Sequence, residues 1–282
     1  MLRQRVITAL VLVACLLASL MSVSRWPFAL LTLALMAAAG WEWGRLNQAP
    51  GSWPFWMGAA VGVAGLGSLV AGWAGGAPAL VWWVAAALWV LGGAVSLRSG
   101  PSLWPRLPKA ARLPLGLIAL WLAWLALAQA RVISINLMLS ILCLVWMADV
   151  AAYFGGKTWG KRKLALSISP GKSWEGVWTG MVGVLLLAAL WIWIDSRFAV
   201  DGPSLYTRLF QSLGPIGMLP VLLALCGLSV VGDLIESLVK RAVGAKDSSG
   251  LLPGHGGVLD RVDALLPVLP AALAMLTLGS RA

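Results

Sequence analysis

Long apolar runs separated by short polar segments dominate the sequence of this 282-residue chain. Most runs are close to the ~20 residues that a helix needs to cross a bilayer. A bilayer interior admits only helices or closed barrels, and these runs are too long and too uniformly apolar for barrel strands. The pattern therefore predicts an all-α, polytopic integral membrane protein with about nine transmembrane helices. The predicted spans are 6–23, 27–43, 55–73, 78–96, 113–129, 132–153, 176–194, 215–238 and 262–279.

The composition and the positions of the charges agree with a membrane protein. The chain is 60% hydrophobic and 11% charged, whereas soluble domains carry roughly 25% charged residues. The net charge of +11 comes from basic residues in short loops, where lysine and arginine mark the cytoplasmic side. With nine spans and a cytoplasmic N-terminus, 16 of the 21 basic residues lie inside, the exceptions being Arg25, Arg131, Arg197, Arg208 and Arg281. We therefore expect a multi-pass protein of the inner membrane with no nucleic-acid partner.

The acidic residues divide the chain unevenly. Residues 1–130 contain one acid, Glu42, and the other nine acids lie beyond residue 145. We predict a transmembrane scaffold over 1–130 and a catalytic transmembrane region over 131–282, whose site faces the cytoplasm.

A first polar segment runs from Asp149 to Lys163. A carboxylate inside a membrane helix is costly and usually faces a partner or a cavity, so Asp149 is a candidate site residue. Tyr153 lies about one turn away, and Lys157 follows a glycine pair whose backbone N–H groups can hold phosphate. The alternative is a helix-end aspartate that pairs with a nearby lysine.

A second polar segment, Ser167 to Gly176, reads SISPGKSWEG and precedes a predicted helix. A helix N-terminus gathers unpaired N–H groups and suits phosphate binding. The alternative is a capped helix start with an acid in its first turn, which needs no ligand. The candidates here are Ser167, Ser169, Lys172, Ser173 and Glu175.

The third segment, Asp233 to Asp263, contains the densest group of charges in the chain. Magnesium prefers a few carboxylates together with substrate phosphates, so Asp233 and Asp260 are candidate metal ligands. Basic side chains can neutralise a triphosphate, and Gly256 and Gly257 allow close backbone approach. His255 has no second histidine or cysteine nearby and is more often structural than a metal ligand. The basic candidates are Lys240, Arg241, Lys246 and Arg261.

Three motifs in these segments resemble those of phosphatidate cytidylyltransferases. The longest is S-L-V-K-R-x4-K-D-x-S-x2-L-P-x-H-G-G-V-x-D-R-V-D, from Ser237 to Asp263. S-x-S-P-x-K-S-x-E-G in the second segment, D-x3-Y-x2-G in the first and the pair Glu42-Trp43 are also similar. Ser173 stands where the family usually has threonine, which keeps a hydroxyl.

The resemblance implies that CTP and phosphatidic acid react to give CDP-diacylglycerol and pyrophosphate among membrane lipids. It also implies Mg²⁺ held by Asp233 and Asp260, a second cation such as potassium, and a homodimer. The predicted catalytic residues are Asp233, Lys240, Arg241, Lys246, Asp247, His255, Asp260, Arg261 and Asp263. The predicted substrate-binding residues are Asp149, Tyr153, Lys157, Ser167, Ser169, Lys172, Ser173, Glu175, Gly256 and Gly257.

Two other classes of function remain open from the residues. A membrane lipid or polyprenol kinase would use similar metal-binding and phosphate-binding groups. A transporter would also explain many spans and buried acids, but transport sites tend toward the membrane midplane, whereas these acids cluster with basic loops at one face.

Overall fold

The computed structural model describes residues 2–278, with the side chains of residues 7, 8 and 10–278. Within this range the chain is mostly helical and contains one short antiparallel hairpin, made of β1 (Lys163–Ala165) and β2 (Ser169–Ser173). The helices are α1 (Leu2–Met21), α2 (Trp26–Leu46), α3 (Trp53–Val70), α4 (Ala79–Ser99), α5 (Lys109–Ile133), α6 (Ile135–Trp159), α7 (Trp174–Arg197), α8 (Leu205–Ala242), α9 (Leu259–Val262) and α10 (Leu265–Leu276).

Six of the described helices, α3 to α8, are long and apolar enough to cross a membrane. The architecture is therefore consistent with the predicted integral membrane protein. The count of nine spans, the cytoplasmic N-terminus and the division near residue 130 stay predictions. Of the residues used to orient the chain, the side chains of Arg3 and Arg5, together with Arg281, lie outside the described residues.

The last predicted span, 262–279, differs from the structure. Its apolar residues form α10, whose 12 residues extend about 18 Å at 1.5 Å per residue. That is shorter than a hydrocarbon core of about 30 Å. Every residue from Leu265 to Ala274 is buried, because α10 packs between α4, α5 and α8. Hydropathy alone does not separate burial in protein from burial in lipid, which explains the difference.

Helices α6 and α7 form a close antiparallel pair that builds one wall of the site. A Cβ atom at Gly176 would lie 2.9 Å from the carbonyl oxygen of Ala152, so only glycine permits this approach. Thr179 adds a hydrogen bond from its Oγ1 to the carbonyl of Ala151, at 3.1 Å. Small residues at such crossings are typical of membrane helices, and here they bring the end of α6 against the start of α7.

Helix α8 is kinked at Gly214, which adopts a positive φ of 67° immediately before Pro215. The predicted span 215–238 covers the part of α8 beyond this kink, and the part before it was not predicted. The part that follows carries Asp233, Glu236 and Lys240 toward its C-terminal end.

The hairpin of β1 and β2 was not predicted from the sequence. It pairs Lys163 with Ser173 and leads directly into α7. The strands have three and five residues, too short for a clear period-2 pattern.

Candidate active site

A polar cavity of about 460 Å³ lies where α6, β2, α7, α8 and α9 meet. Side chains from all three predicted polar segments face it, although these segments are far apart in sequence. The predicted site residues that line it are Asp149, Tyr153, Lys157, Lys172, Ser173, Asp233, Asp260, Arg261 and Asp263. The two predicted metal ligands thus face one cavity from different elements.

Lys172 on β2 forms an ion pair with Asp233 on α8. Ser237, one turn further along α8, donates to Asp233 Oδ1 at 3.2 Å. The hairpin is held beside α8 by Arg241, whose Nε donates to the carbonyl of Ile168 at 3.4 Å. Both members of the ion pair are partly exposed, at 25% and 30%. A predicted phosphate-binding lysine therefore lies next to a predicted metal ligand.

Asp260 is surrounded by hydrogen-bond donors. It accepts from Lys240 Nζ (2.6 Å), Ser248 Oγ (2.9 Å), the N–H of Ser248 (3.0 Å) and the N–H of Gly257 (2.8 Å). Burial raises the pKa of Asp260, but hydrogen bonds from Lys240 and from the N–H groups of Gly257 and Ser248 outweigh it and hold the pKa below its ordinary value. Asp260 is therefore an ionised carboxylate at neutral pH, fixed in position by the protein.

Lys240 links two acids rather than projecting into the cavity. It forms ion pairs with Glu236, four residues earlier on α8, and with Asp260. Its side chain is 13% exposed and that of Glu236 is 4% exposed. Because a buried charge is costly unless it is paired, Lys240 stabilises both carboxylates. Its predicted contact with a substrate phosphate stays a prediction.

Asp263 and Asp149 face the same cavity as Asp233. Burial raises the pKa of Asp263, and the negative charge of Asp233 raises it further. Among the described residues no three histidine, cysteine, aspartate or glutamate side chains form a metal-binding group. Magnesium needs only one or two carboxylates when substrate phosphates supply other ligands. Asp233 and Asp260 are the residues that could hold such an ion, with substrate phosphates supplying other ligands.

The start of α7 is capped as the structural interpretation of the second segment predicted. Ser173 Oγ accepts the N–H of Gly176 at 3.2 Å. Glu175 accepts the N–H groups of Lys161 and Arg162, both at 3.1 Å, and so fixes the turn before the hairpin. Capping does not exclude a ligand, since Ser173 also faces the cavity.

The His-Gly-Gly sequence forms a turn beside the cavity. The N–H of His255 donates to the carbonyl of Leu252 at 2.8 Å, and the His255 carbonyl accepts from Arg261 Nε at 3.2 Å. This turn holds Arg261 where it lines the cavity. Of the predicted site residues, all of which are described, those outside the lining are Ser167, Ser169, Glu175, Lys240, Arg241, Lys246, Asp247, His255, Gly256 and Gly257.

Glu42 lies beside the site, although the sequence placed it in the predicted scaffold of residues 1–130. It is fully buried, although it lies in α2 and more than 200 residues before the loop that it contacts. Its carboxylate accepts the N–H groups of Val258 (3.0 Å) and Leu259 (2.7 Å) and the hydroxyls of Ser248 (3.2 Å) and Ser249. Two sequence signals pointed to it: a lone acid among apolar residues needs a partner, and the pair Glu42-Trp43 is among the motifs that resemble the family.

The fold and the cavity define a helical membrane protein whose acids and basic groups meet in one polar site. The chain belongs to the cytidylyltransferase family, whose family model matches residues 3–278. The resemblance found in the motifs is thereby confirmed.

Named relatives extend this similarity over nearly the whole chain. The phosphatidate cytidylyltransferase of Pseudomonas aeruginosa is 40% identical over 283 residues, which cover 98% of this chain and 97% of the relative. That of Haemophilus influenzae is 46% identical over 134 residues, covering 48% of this chain and 43% of the relative. That of Bacillus subtilis is 42% identical over 139 residues, covering 48% and 45%.

Proposed function

We propose that this chain is a phosphatidate cytidylyltransferase, which forms CDP-diacylglycerol and pyrophosphate from CTP and phosphatidic acid. The full-length similarity to a relative of that name supports the activity. The observation that carries the proposal is the cavity that unites three sequence motifs at one end of the bundle. It offers acids and basic groups together, as a reaction between two phosphates requires.

The proposed reaction is an attack by a phosphate oxygen of phosphatidic acid on the α-phosphorus of CTP. A new P–O bond forms, the bond between the α- and β-phosphates breaks, and pyrophosphate leaves with its electron pair. A phosphomonoester has a second pKa near 6, so the nucleophile is already largely dianionic at neutral pH. The site therefore needs no strong general base.

The main barrier is the repulsion between two anions, which fixed positive charges can offset. Lys157, Lys172 and Arg261 line the cavity and are placed to bind phosphate. Holding the lipid phosphate and CTP in line contributes as well, because positioning replaces an encounter in solution. Lys172 would exchange its ion pair with Asp233 for a substrate phosphate.

A magnesium ion belongs to this proposal. Asp233 is well placed to hold it, since its carboxylate faces the cavity and is partly exposed. Asp260, the second predicted ligand, already accepts several protein hydrogen bonds, and Asp263 is a neighbouring carboxylate on the same cavity. When bound, the ion supplies positive charge to the phosphates. A second cation such as potassium and a homodimer remain expectations from the family resemblance.

We place the site at the cytoplasmic face of the inner membrane. Lys157, Lys172 and Arg261 lie at the cavity, and basic residues near membrane helices favour the cytoplasmic side. The predicted topology, in which 16 of 21 basic residues lie inside, supports the same orientation.

A direct assay tests this function. The chain, purified in detergent, is given Mg²⁺, labelled CTP and phosphatidic acid, and should release pyrophosphate in step with CDP-lipid. A chelator should stop the reaction, and added Mg²⁺ should restore it. ATP-dependent phosphorylation of a lipid alcohol would instead indicate a kinase. Solute flux in liposomes without nucleotide turnover would indicate a transporter.

A further inference from the structure

Glu42 is a buried carboxylate whose contacts all lead to one loop. Four donor groups lie within hydrogen-bonding distance of it, the N–H groups of Val258 and Leu259 and the hydroxyls of Ser248 and Ser249. Among the ion pairs of the described residues, none involves Glu42. A buried charge is costly unless hydrogen bonds replace its lost hydration. These contacts therefore make Glu42 and the loop mutually dependent.

The loop held in this way joins α8 to α9 and spans residues 243–258, here called the active-site loop. Glu42 contacts its middle at Ser248 and Ser249, and its end at Val258, so one carboxylate ties two separate parts of the loop together. The packing at this point is tight. A Cβ atom at Gly257 would lie 1.9 Å from Ser248 Oγ and 2.5 Å from Glu42 Oε1. The second glycine of the His-Gly-Gly sequence thus leaves room for the carboxylate.

Asp260 depends on the same loop for its position. Its donors include the N–H and the hydroxyl of Ser248 and the N–H of Gly257. Ser248 Oγ lies 2.9 Å from Asp260 Oδ2 and 3.2 Å from Glu42 Oε2. A serine hydroxyl carries one hydrogen and so donates to one carboxylate at a time, while its N–H continues to serve Asp260. Ser248 is therefore the bridge between the two acids.

We propose that Glu42 is a positioning residue of the active site, which fixes the active-site loop so that Asp260 faces the cavity. This inference rests on the proposed function for its kinetic consequence, but its structural consequence is independent of it. The predicted scaffold region then contributes directly to the geometry of the site. Glu42 itself acts through Ser248 and does not line the polar cavity.

The first test compares Glu42→Gln with Asp195→Asn. Glutamine offers an N–H₂ group where two N–H and two hydroxyl donors converge, so some of those bonds are lost. We expect kcat to fall about 100-fold, since a misplacement near 1 Å costs that much. Asp195 also accepts backbone and hydroxyl donors, from Ser204 and Thr207, but away from the cavity. Asp195→Asn should leave the kcat of the folded protein unchanged.

Hydrogen exchange supplies a readout that does not depend on activity. In Glu42→Gln, amides in 243–262 should exchange faster than in the wild type, while those in α6 and α7 should not. A general loss of folding would raise exchange everywhere and would count against positioning. If the wild-type chain forms no CDP-lipid, the proposed function fails, and the exchange experiment alone decides whether Glu42 holds the loop.

A double-mutant cycle tests the route through Ser248. If Glu42 acts through this bridge, Glu42→Gln combined with Ser248→Ala should lose little more kcat than Glu42→Gln alone. Ser249→Ala, which removes a hydroxyl bonded to Glu42 but not to Asp260, is the matched control and should have a smaller effect than Ser248→Ala. If the fold-losses of kcat in the two single variants multiply in the double variant, or if amide exchange in the active-site loop is unchanged, the inference is wrong.

Discussion

Two acid-rich clusters lie at opposite ends of the α6–α7 pair and differ in what surrounds their carboxylates. At the end away from the cavity, Asp195 accepts from Asn136 Nδ2 (2.8 Å), the N–H of Ser204 (2.9 Å) and Thr207 Oγ1 (2.6 Å). Asp201 accepts the N–H of Asn136 at 3.0 Å. These partners are neutral donors of helix starts and loops. The cluster therefore joins α6 to the α7–α8 connection and needs no ligand.

At the other end, the acids share a cavity with basic groups. Asp149, Asp233 and Asp263 face about 460 Å³ of polar space together with Lys172. Their charges are only partly neutralised, and burial together with the charge of Asp233 raises the pKa of Asp263. Acid content alone therefore does not identify a site. A site is marked instead by carboxylates that face basic groups across a cavity.

The largest expected effect comes from replacing one carboxylate in each cluster and comparing the losses of activity. Asp260→Asn should reduce CDP-lipid formation by roughly 10²–10³-fold, because Asp260 is proposed to hold a cation that stabilises the charge of the reacting phosphates, and the loss of one such electrostatic contribution costs on that scale. The substitution also removes the negative charge that pairs with Lys240. The measurement is turnover with labelled CTP, alongside thermal unfolding in detergent.

The matched control for this change is again Asp195→Asn, which alters a carboxylate at the opposite end. Near wild-type rates in Asp260→Asn, in protein that remains folded, would remove Asp260 from the reaction. Equal losses in both variants would show that the two clusters do not differ in function.

A second prediction concerns the basic residues. Lys172→Ala should lower kcat/KM for CTP by roughly 10- to 100-fold, since a charged hydrogen bond contributes about 1.5–3 kcal/mol. Arg162→Ala is the control, because Arg162 pairs with Glu175 on the surface and its side chain is 77% exposed. Steady-state kinetics at varied CTP give the measurement. A loss in Arg162→Ala as large as that in Lys172→Ala would point to general surface charge instead of a phosphate contact.

Most of the fold could be predicted because run length and hydropathy determine membrane helices. The kink at Gly214 and the part of α8 before it were not predicted, and the predicted span 215–238 covers only the part beyond the kink. The hairpin before α7 was not, since its strands are short and polar. The predicted span 262–279 was longer than α10, because the residues of α10 are apolar in order to pack against other helices and not to face lipid.

The candidate site could be predicted only as a set of local segments. Spacing on α8 places Glu236 and Lys240 as neighbours four residues apart, but nothing local indicates that Asp260 joins them. Glu42 is harder still, because 206 residues separate it from Ser248. Contacts at such a distance leave no periodicity in a single sequence, so tertiary structure alone reveals them.

A third prediction tests whether the cavity end depends on close helix packing. Gly176→Ala places a methyl group against the Ala152 carbonyl, where a Cβ would lie 2.9 Å away. Such overpacking costs about 1–3 kcal/mol and moves the wall that carries Asp149, so activity should fall several-fold with a lower melting temperature. Gly62→Ala in α3 is the control, as a Cβ there meets nothing within 4 Å. An unchanged melting temperature in Gly176→Ala would mean that the two helices separate without cost.

The smallest expected effect on catalysis belongs to the structural cluster. In Asp195→Asn an N–H₂ group replaces one acceptor oxygen. If it replaces Oδ2, the Ser204 N–H and the Thr207 hydroxyl both lose their acceptor, and if it replaces Oδ1, Asn136 Nδ2 does. The free energy of unfolding should fall by about 1–3 kcal/mol, the cost of an unsatisfied buried donor. Because Asp195 lies on α7 some twenty residues beyond the cavity-lining Gly176, kcat and KM of the folded protein should match the wild type. Thermal unfolding and CDP-lipid kinetics on the same preparation check both statements. A kinetic defect without a loss of stability would mean that this end of the bundle communicates with the cavity, and the contrast between the two clusters would then be one of degree.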